Sequence, residues 1–383
     1  MAIKALESKN LYTVGWIAAL AVEHAAAVAM LDEEHDKPPD FTKSPKDPNS
    51  YAWGRIGVHN IIVAVLPAGM SGQSAATVTA THMVTSFPHI RVGLMVGIGG
   101  GIPRPDDDID IRLGDVVVSE PSGTSGGVAQ YDAGKATKGS IFKLRSFLSA
   151  PPIALLNAVA HLKSRHERQD PRIPEILQDM LARNDTMANP KKNRSTYAYQ
   201  GKEHDRLFEP TYDHQGGKGC EACDREREIK RDERQYLDPV IHYGLIASGN
   251  TLVEDAVVRD EILQRLGDEC LCIETAAAGL MNIFPCLVVR GICDYADSHK
   301  NDRWERYAAA VAAAYAKELL GVLDRQDAEA TRTVLENLPE SMGHSETRYI
   351  QDGLMDPSSK YSSTDPFPSK ANTWKGWGAG IPN

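Results

Sequence analysis

The sequence is short of cysteine. Six in 383 residues are too few for a disulfide framework, so reduced thiols in a cytoplasmic protein are expected. It also lacks an excess of positive charge. Lys and Arg number 42 against 52 Asp and Glu, a formal net charge of −10, which argues against nucleic-acid binding, where lysine and arginine must meet phosphates. No stretch is long and apolar enough to span a membrane, and no membrane partner is expected. The nearest, "LYTVGWIAALAVEHAAAVAML", follows Lys4 and Lys9 as a targeting signal would. Glu23 and His24 interrupt it, and it reads instead as a buried strand followed by a helix. There is no internal repeat. No Gly-x-Gly-x-x-Gly opens a helix, so the dinucleotide fingerprint is absent and no cofactor is expected.

What is present is a 42% hydrophobic composition, enough for a large core. Residues 12–20, "YTVGWIAAL", read as a strand covered on both faces, and helix formers follow to Leu31. The proline-rich stretch 32–49 reads as a loop, 51–67 as a hairpin, and 71–87 as a helix. "HIRVGLMVGIGGGIP" is a strand running into glycines, and "GDVVVSEP" another strand. Helical pattern returns at 152–168 and 174–183, and a charged, aliphatic-poor excursion occupies 184–239. Core pattern resumes with "VIHYGLIASGN", a helix at 254–267, "CLCIE", an alanine-rich helix, "FPCLVVRGICDYAD" and the helix "WERYAAAVAAAYAKELLGVL". Alternating strands and helices predict an α/β fold, a three-layer αβα sandwich around a central mixed, twisted sheet. That domain is expected over 1–326, with a low-order tail over 327–383.

Three strand ends carry unusual residues. "VGIGGGIP" lets the backbone approach a ligand closely, although a tight turn would use the same glycines. Asp294 in "RGICDYADSHKN" sits at the carboxyl end of a strand, the usual ligand edge of an α/β sheet, where a helix cap is the competing role. Glu23 lies just past the first strand and on its own would be a solvated helix residue. Together they point to carboxylates around a glycine-lined pocket, without naming a substrate.

The succession "VGWIAALAVE", "AGMSGQSAA", "VGIGGGI", "LGDVVVS", "GLIASGN", "CIETAAAGLMN" and "VVRGICDYAD" resembles the purine nucleoside phosphorylase and uridine phosphorylase superfamily over about residues 12–322. It is most similar to the nucleosidase branch typified by methylthioadenosine/S-adenosylhomocysteine nucleosidase, in particular to the nucleosidase-like domains at the N-termini of immune-receptor-like proteins of filamentous fungi. The resemblance implies a phosphorylase/hydrolase-like fold, cleavage of the N-glycosidic bond of a purine nucleoside or nucleotide, and a homo-oligomer. By motif, Asp294 resembles the acid that protonates the base and Glu23 the base for the attacking water. Gly99 and Gly100 match backbone lining the ribose and base; Ser248, Gly249 and Asn250, with Leu252 and Val253, match the segment flanking the base. Ser71 falls on the water or anion side.

Glu23 favours water over phosphate as the nucleophile. Phosphorolytic relatives generally carry arginines in the glycine loops, which "AGMSGQ" and "GIGGGI" lack, although Arg104 lies just beyond. One expected residue is absent. The family pattern of Glu-Met-Glu before the alanines is here Glu274, Thr275 and Ala276, so the acid that grips the ribose hydroxyls is replaced by a methyl group. Glu274 is expected to point away from the face of Ala276. The contact is then taken over by Glu274 or another group, or the alanine is a designed trap for substrate, or the domain binds nucleotides without turnover. The retained Glu23 and Asp294 favour an active lineage with one altered contact.

Within the excursion, Cys220 and Cys223 with His204 and His214 could ligate zinc, but the second spaced pair of the usual zinc patterns is missing. A loop with two thiols is therefore preferred, and no metal is expected. The sign-mixed run 225–234 reads as a solvated helical face whose Arg227 and Arg231 could reach a nucleotide's phosphates.

Overall fold

The computed structural model describes residues 4–136, 142–144, 147–191 and 194–337. Its strands are β1 (Lys4–Ala5), β2 (Val14–Ala18), β3 (Glu33–Asp36), β4 (Tyr51–Ile56), β5 (His59–Val65), β6 (Val92–Gly101), β7 (Val116–Ser119), β8 (Val128–Gln130), β9 (Gly134–Ala136), β10 (Phe142–Leu144), β11 (Ile241–Ser248), β12 (Cys270–Glu274) and β13 (Cys286–Asp294). The helices are α1 (Ala21–Ala29), α2 (Gly72–Ser86), α3 (Ile153–His166), α4 (Ile173–Arg183), α5 (Asp185–Ala188), α6 (Ala256–Leu266), α7 (Glu305–Leu320) and α8 (Arg325–Ala330).

The fold is mixed α/β around one central sheet, ordered β1-β3-β4-β5-β2-β6-β12-β11-β7-β13. Part of the central sheet closes on itself. β13 pairs in parallel with β6 and antiparallel with β7, so β6, β12, β11, β7 and β13 close into a ring. The carboxyl halves of β6, β12 and β13 are thereby drawn together at one end. β2 and β13 are buried throughout, which explains their continuous apolar runs.

α7 packs on β13 and β6, with α1, α3 and α4 against it, while α2 lies on β5 and α6 on β12. The alanines of α7 are all buried, so its backbone approaches the sheet closely. At Gly291 a Cβ would overlap the backbone carbonyl of Ala308. Gly291→Ala is expected to destabilise the protein by about 3 kcal/mol, because a helix backbone cannot step aside as a side chain can. Denaturant unfolding checks this, and an unchanged midpoint would contradict it.

Three expectations differ from what forms. The stretch 32–49 contains β3, which pairs antiparallel with β4 and carries Glu33 beside Arg55 at 3.1 Å. The alanine-rich stretch after β12 is one 3₁₀ turn, Ala277–Gly279, and no α-helix. Side chains capture its amides: Glu274 accepts from Ala276 and Ala277, and the Ser248 hydroxyl from Ala278. Gly279 also sits against the backbone of Gln73, where a wider helix would not fit. Finally, core contacts run past residue 326, with Ala328 and Val334 buried and the Val334 N–H donating to Ile90. Residues 338–383 of the expected tail lie outside the described residues. Among the described residues no helix is long and apolar enough to cross a membrane.

Candidate active site

One cavity of about 280 Å³ opens where β2, β6, β12 and β13 end. Glu23, Ser71, Gly99, Gly100, Asn250, Leu252, Val253, Glu274, Thr275, Ala276 and Asp294 all line it. Ser248 does not. It is fully buried behind the wall, where its hydroxyl accepts the Ala278 amide, so it supports the turn carrying Ala276 and does not face a ligand. Gly249 lies against Tyr131, whose ring occupies the space a side chain there would need.

Glu23 is the third residue of α1, and its carboxylate folds back on the start of its own helix. Oε2 accepts the Ala19 and Leu20 amides at 2.6 and 2.9 Å, while Oε1 accepts the Ile98 amide of β6 at 2.8 Å. It therefore does cap a helix, as glutamates near helix starts often do. It is not solvated, however: only 3% of it is exposed. Burial raises its pKa, against the opposing pull of Arg290 and the three amides. Gly97 is what makes room, because a Cβ there would overlap both Glu23 Oε1 and Arg290 Nη1.

Arg290, 1% exposed in mid-β13, organises the cavity floor, and its Nη2 pairs with Glu274 Oε2 at 2.5 Å. The Glu274 carboxylate also accepts the Ala276 and Ala277 amides at 3.0–3.1 Å. The expected divergence of Glu274 and Ala276 does not occur: residues two apart share a face in extended chain, and β12 ends at Glu274 with Ala276 opening the 3₁₀ turn. Glu274 and Ala276 consequently line the same cavity. Every Glu274 oxygen is already engaged. Breaking one partner from such a buried pair would leave a charge uncompensated.

Asp294 closes β13. Its Oδ1 accepts the Ala296 amide at 2.9 Å, and its Oδ2 accepts from Lys300 Nζ at 2.8 Å and from the Cys293 thiol at 3.1 Å. The next helix starts only at Glu305, so Asp294 holds a turn and does not cap a helix. That turn carries Ala296 at φ 50°, a left-handed conformation that costs a non-glycine residue energy and clusters at functional sites. Burial pulls the Lys300 ammonium down, but Asp294 outweighs it and holds the lysine above its ordinary value. Lys300 and Glu305 also line the cavity.

Sequence reading missed Arg290 and Lys300. A lone arginine inside the apolar run "CLVVRGICD" was the available signal for the first. Arg104 is turned away, with its guanidinium donating to the carbonyls of Cys270 and Asp268. The run 225–234 is no helical face: beyond one 3₁₀ turn, Arg225–Arg227, it is irregular. Arg227 pairs with Glu209 at 2.7 Å and Arg231 with Asp205 at 3.1 Å, and neither lines the cavity. His204 does not join its expected partners: its ring lies 3.6 Å from Glu203, and its carbonyl accepts from Trp304.

No protein-family model matches the chain. It is similar to a nucleotide-binding leucine-rich repeat (NLR)-like protein of Hyaloscypha variabilis, 43% identical over 329 residues. The match takes in 86% of this chain and 31% of that protein, so the chain spans about a third of its relative. Similar solved structures include the futalosine hydrolase of Helicobacter pylori, at 15% identity and TM-score 0.48, covering 82% of this chain and 99% of that one. Another is the 5'-methylthioadenosine/S-adenosylhomocysteine nucleosidase of Neisseria meningitidis in complex with methylthio-immucillin-A. It is 17% identical, with TM-score 0.49, and covers 81% of this chain and 99% of that one.

Proposed function

We propose that the chain is an N-ribohydrolase of purine nucleosides or nucleotides, with Asp294 as the acid and Glu23 as the base. The observation that carries this reading is that two carboxyl groups, far apart in sequence, open on one glycine-walled cavity. Glu23 sits over Gly97 and Asp294 over Gly100 of the same strand. An acid and a base that open on one cavity are what inverting glycoside hydrolysis requires, with the glycosidic bond and the water held between them.

In the proposed reaction, water attacks the anomeric carbon and gives its proton to Glu23. The carbon–nitrogen bond breaks with its electron pair passing to the base, and Asp294 protonates the base as it leaves. Exchange with solvent water then carries the proton off Glu23 and returns one to Asp294, while Lys300 holds the Asp294 carboxyl group in place. Hydrolysis is favoured over phosphorolysis because the cavity's cations, Arg290 and Lys300, are each paired with a carboxylate and leave no free charge for phosphate. The raised Glu23 pKa makes it a stronger base, but one that is protonated, and so inactive, at a pH where an ordinary glutamate is still ionised. The acid limb of kcat/KM should accordingly lie above the ordinary glutamate range, and Glu23→Gln should abolish it. A limb within the ordinary range would contradict the role.

A second reading has its own support. Ala276 offers no acceptor, and Glu274 is committed to Arg290 and two backbone amides, so the site could hold a purine nucleotide without turning it over. Chromatography of a panel of nucleosides and nucleotides, with and without phosphate, separates these. Free base released independently of phosphate supports hydrolysis. Base release only with phosphate indicates phosphorolysis, and tight binding without release indicates the silent module.

A further inference from the structure

The excursion over 184–239 carries a ligand set that catalysis leaves unused. One candidate ligand atom each from His214, Cys220 and Cys223 lies within 4.8 Å of the others. Tetrahedral zinc would bring such atoms to about 3.3–3.8 Å apart, a small closure. The backbone is already arranged for it. Cys220–Ala222 is a single 3₁₀ turn, with the Cys223 amide donating to the Cys220 carbonyl at 3.1 Å. The Gln215 amide points at Cys223 Sγ at 3.4 Å, and Arg206 donates to the carbonyls of Cys220 and Cys223. His214 Nε2 lies 3.1 Å from the Gly219 carbonyl. Donating there leaves the lone pair on Nδ1, the arrangement that orients a metal-binding imidazole.

A fourth group stands beside this set. His299 is 6% exposed, and neither of its ring nitrogens has a hydrogen-bond partner. A buried imidazole with both nitrogens unsatisfied is costly and calls for a ligand. Its ring centroid is 5.6 Å from that of His214, and the Cys220 thiol points at its carbonyl at 4.0 Å. Asp297 Oδ2 lies 3.6 Å from Nδ1, placed to orient the ring once the other nitrogen is bound.

We propose that His214, Cys220, Cys223 and His299 bind a structural zinc ion. This replaces His204 of the sequence reading with a histidine from the loop after β13. The site would brace the corner of the cavity, because His299 follows Asp294 and Ala296 on that loop and immediately precedes Lys300. Ser298 Oγ already accepts the His214 amide at 3.0 Å from across the excursion. The bracing role rests on the assignment of Asp294 given above; the metal site does not.

The test is zinc content by elemental analysis of the full chain, purified reduced and reconstituted with zinc, followed by chelator competition and cobalt substitution. About one zinc per chain is expected, with the visible absorption of a tetrahedral thiolate site on cobalt binding. His299→Ala should weaken zinc binding at least about tenfold, and His204→Ala should leave it unchanged. Should Cys223→Ser fail to fold, the cobalt spectrum of the unaltered chain still decides. Absence of bound zinc, with two freely titrating thiols or a Cys220–Cys223 disulfide, would overturn the site, as would unchanged affinity in His299→Ala. Zinc removal that lowers both melting temperature and base release supports the brace. A chain that binds zinc through these residues but never releases base keeps the metal site and refutes the catalytic reading instead.

Discussion

Ala276→Glu is expected to raise kcat/KM for purine nucleoside hydrolysis by about 100-fold, mainly through kcat. The expectation follows from where acceptors are missing. Ala276 is buried on the cavity wall, and its methyl group cannot accept a hydrogen bond. Glu274, the nearest carboxylate in sequence, is held in place by Arg290 and two backbone amides. Contacts to sugar hydroxyls that strengthen as the ring becomes cationic contribute several kcal/mol, and each ~1.4 kcal/mol is tenfold in rate. The incoming carboxylate also enters a site where Arg290 already stands close to Glu23 and Glu274. Base release by the two proteins, followed by chromatography, checks the gain. An unchanged rate in a folded Ala276→Glu protein would mean that another group already grips the sugar, or that the site does no chemistry.

The second large effect is loss. In the Ala276→Glu background, Asp294→Asn and Glu23→Gln should each lower kcat by about a thousandfold, within the usual range for removing a positioned acid or base. Combining them should cost little more than either alone, because groups that act in one step are not additive. The two substitutions differ in their side effects. Glu23→Gln turns an amide NH₂ toward backbone N–H donors that now meet carboxylate oxygens, so some thermal stability should also be lost. Asp294→Asn leaves Lys300 without its charged partner, and the lysine should fall back toward its ordinary pKa. A kcat that tolerates either change would remove that residue from the reaction.

The strands and the cavity at their ends were legible in the sequence because they rest on local signals. Continuous apolar runs marked β2, β6 and β13, and a charge or glycine at the end of each marked the edge where the cavity opens. The ring of strands was not legible, since closure depends on β13 pairing with both β6 and β7, a long-range choice no short pattern encodes. The orientation of Glu274 was misjudged for a different reason. Residues two apart in extended chain share a face, so Glu274 and Ala276 fall on the same side and both reach the cavity. Arg227 and Arg231 look available as a charge run, yet their partners Glu209 and Asp205 come from an earlier part of the excursion. His299 escaped notice because it lies about eighty residues from the Cys-x-x-Cys pair and meets it only through folding.

Mass spectrometry of the sugar released in ¹⁸O-labelled water, without phosphate, tests the pairing of Glu23 and Asp294 across one glycosidic bond most directly. Incubated with a purine nucleoside, Ala276→Glu should yield free base and ribose carrying one labelled oxygen at the anomeric carbon, and the added Asp294→Asn change should suppress both products together. Unlabelled sugar, sugar phosphate formed only when phosphate is supplied, or a bound purine that is never released would contradict it.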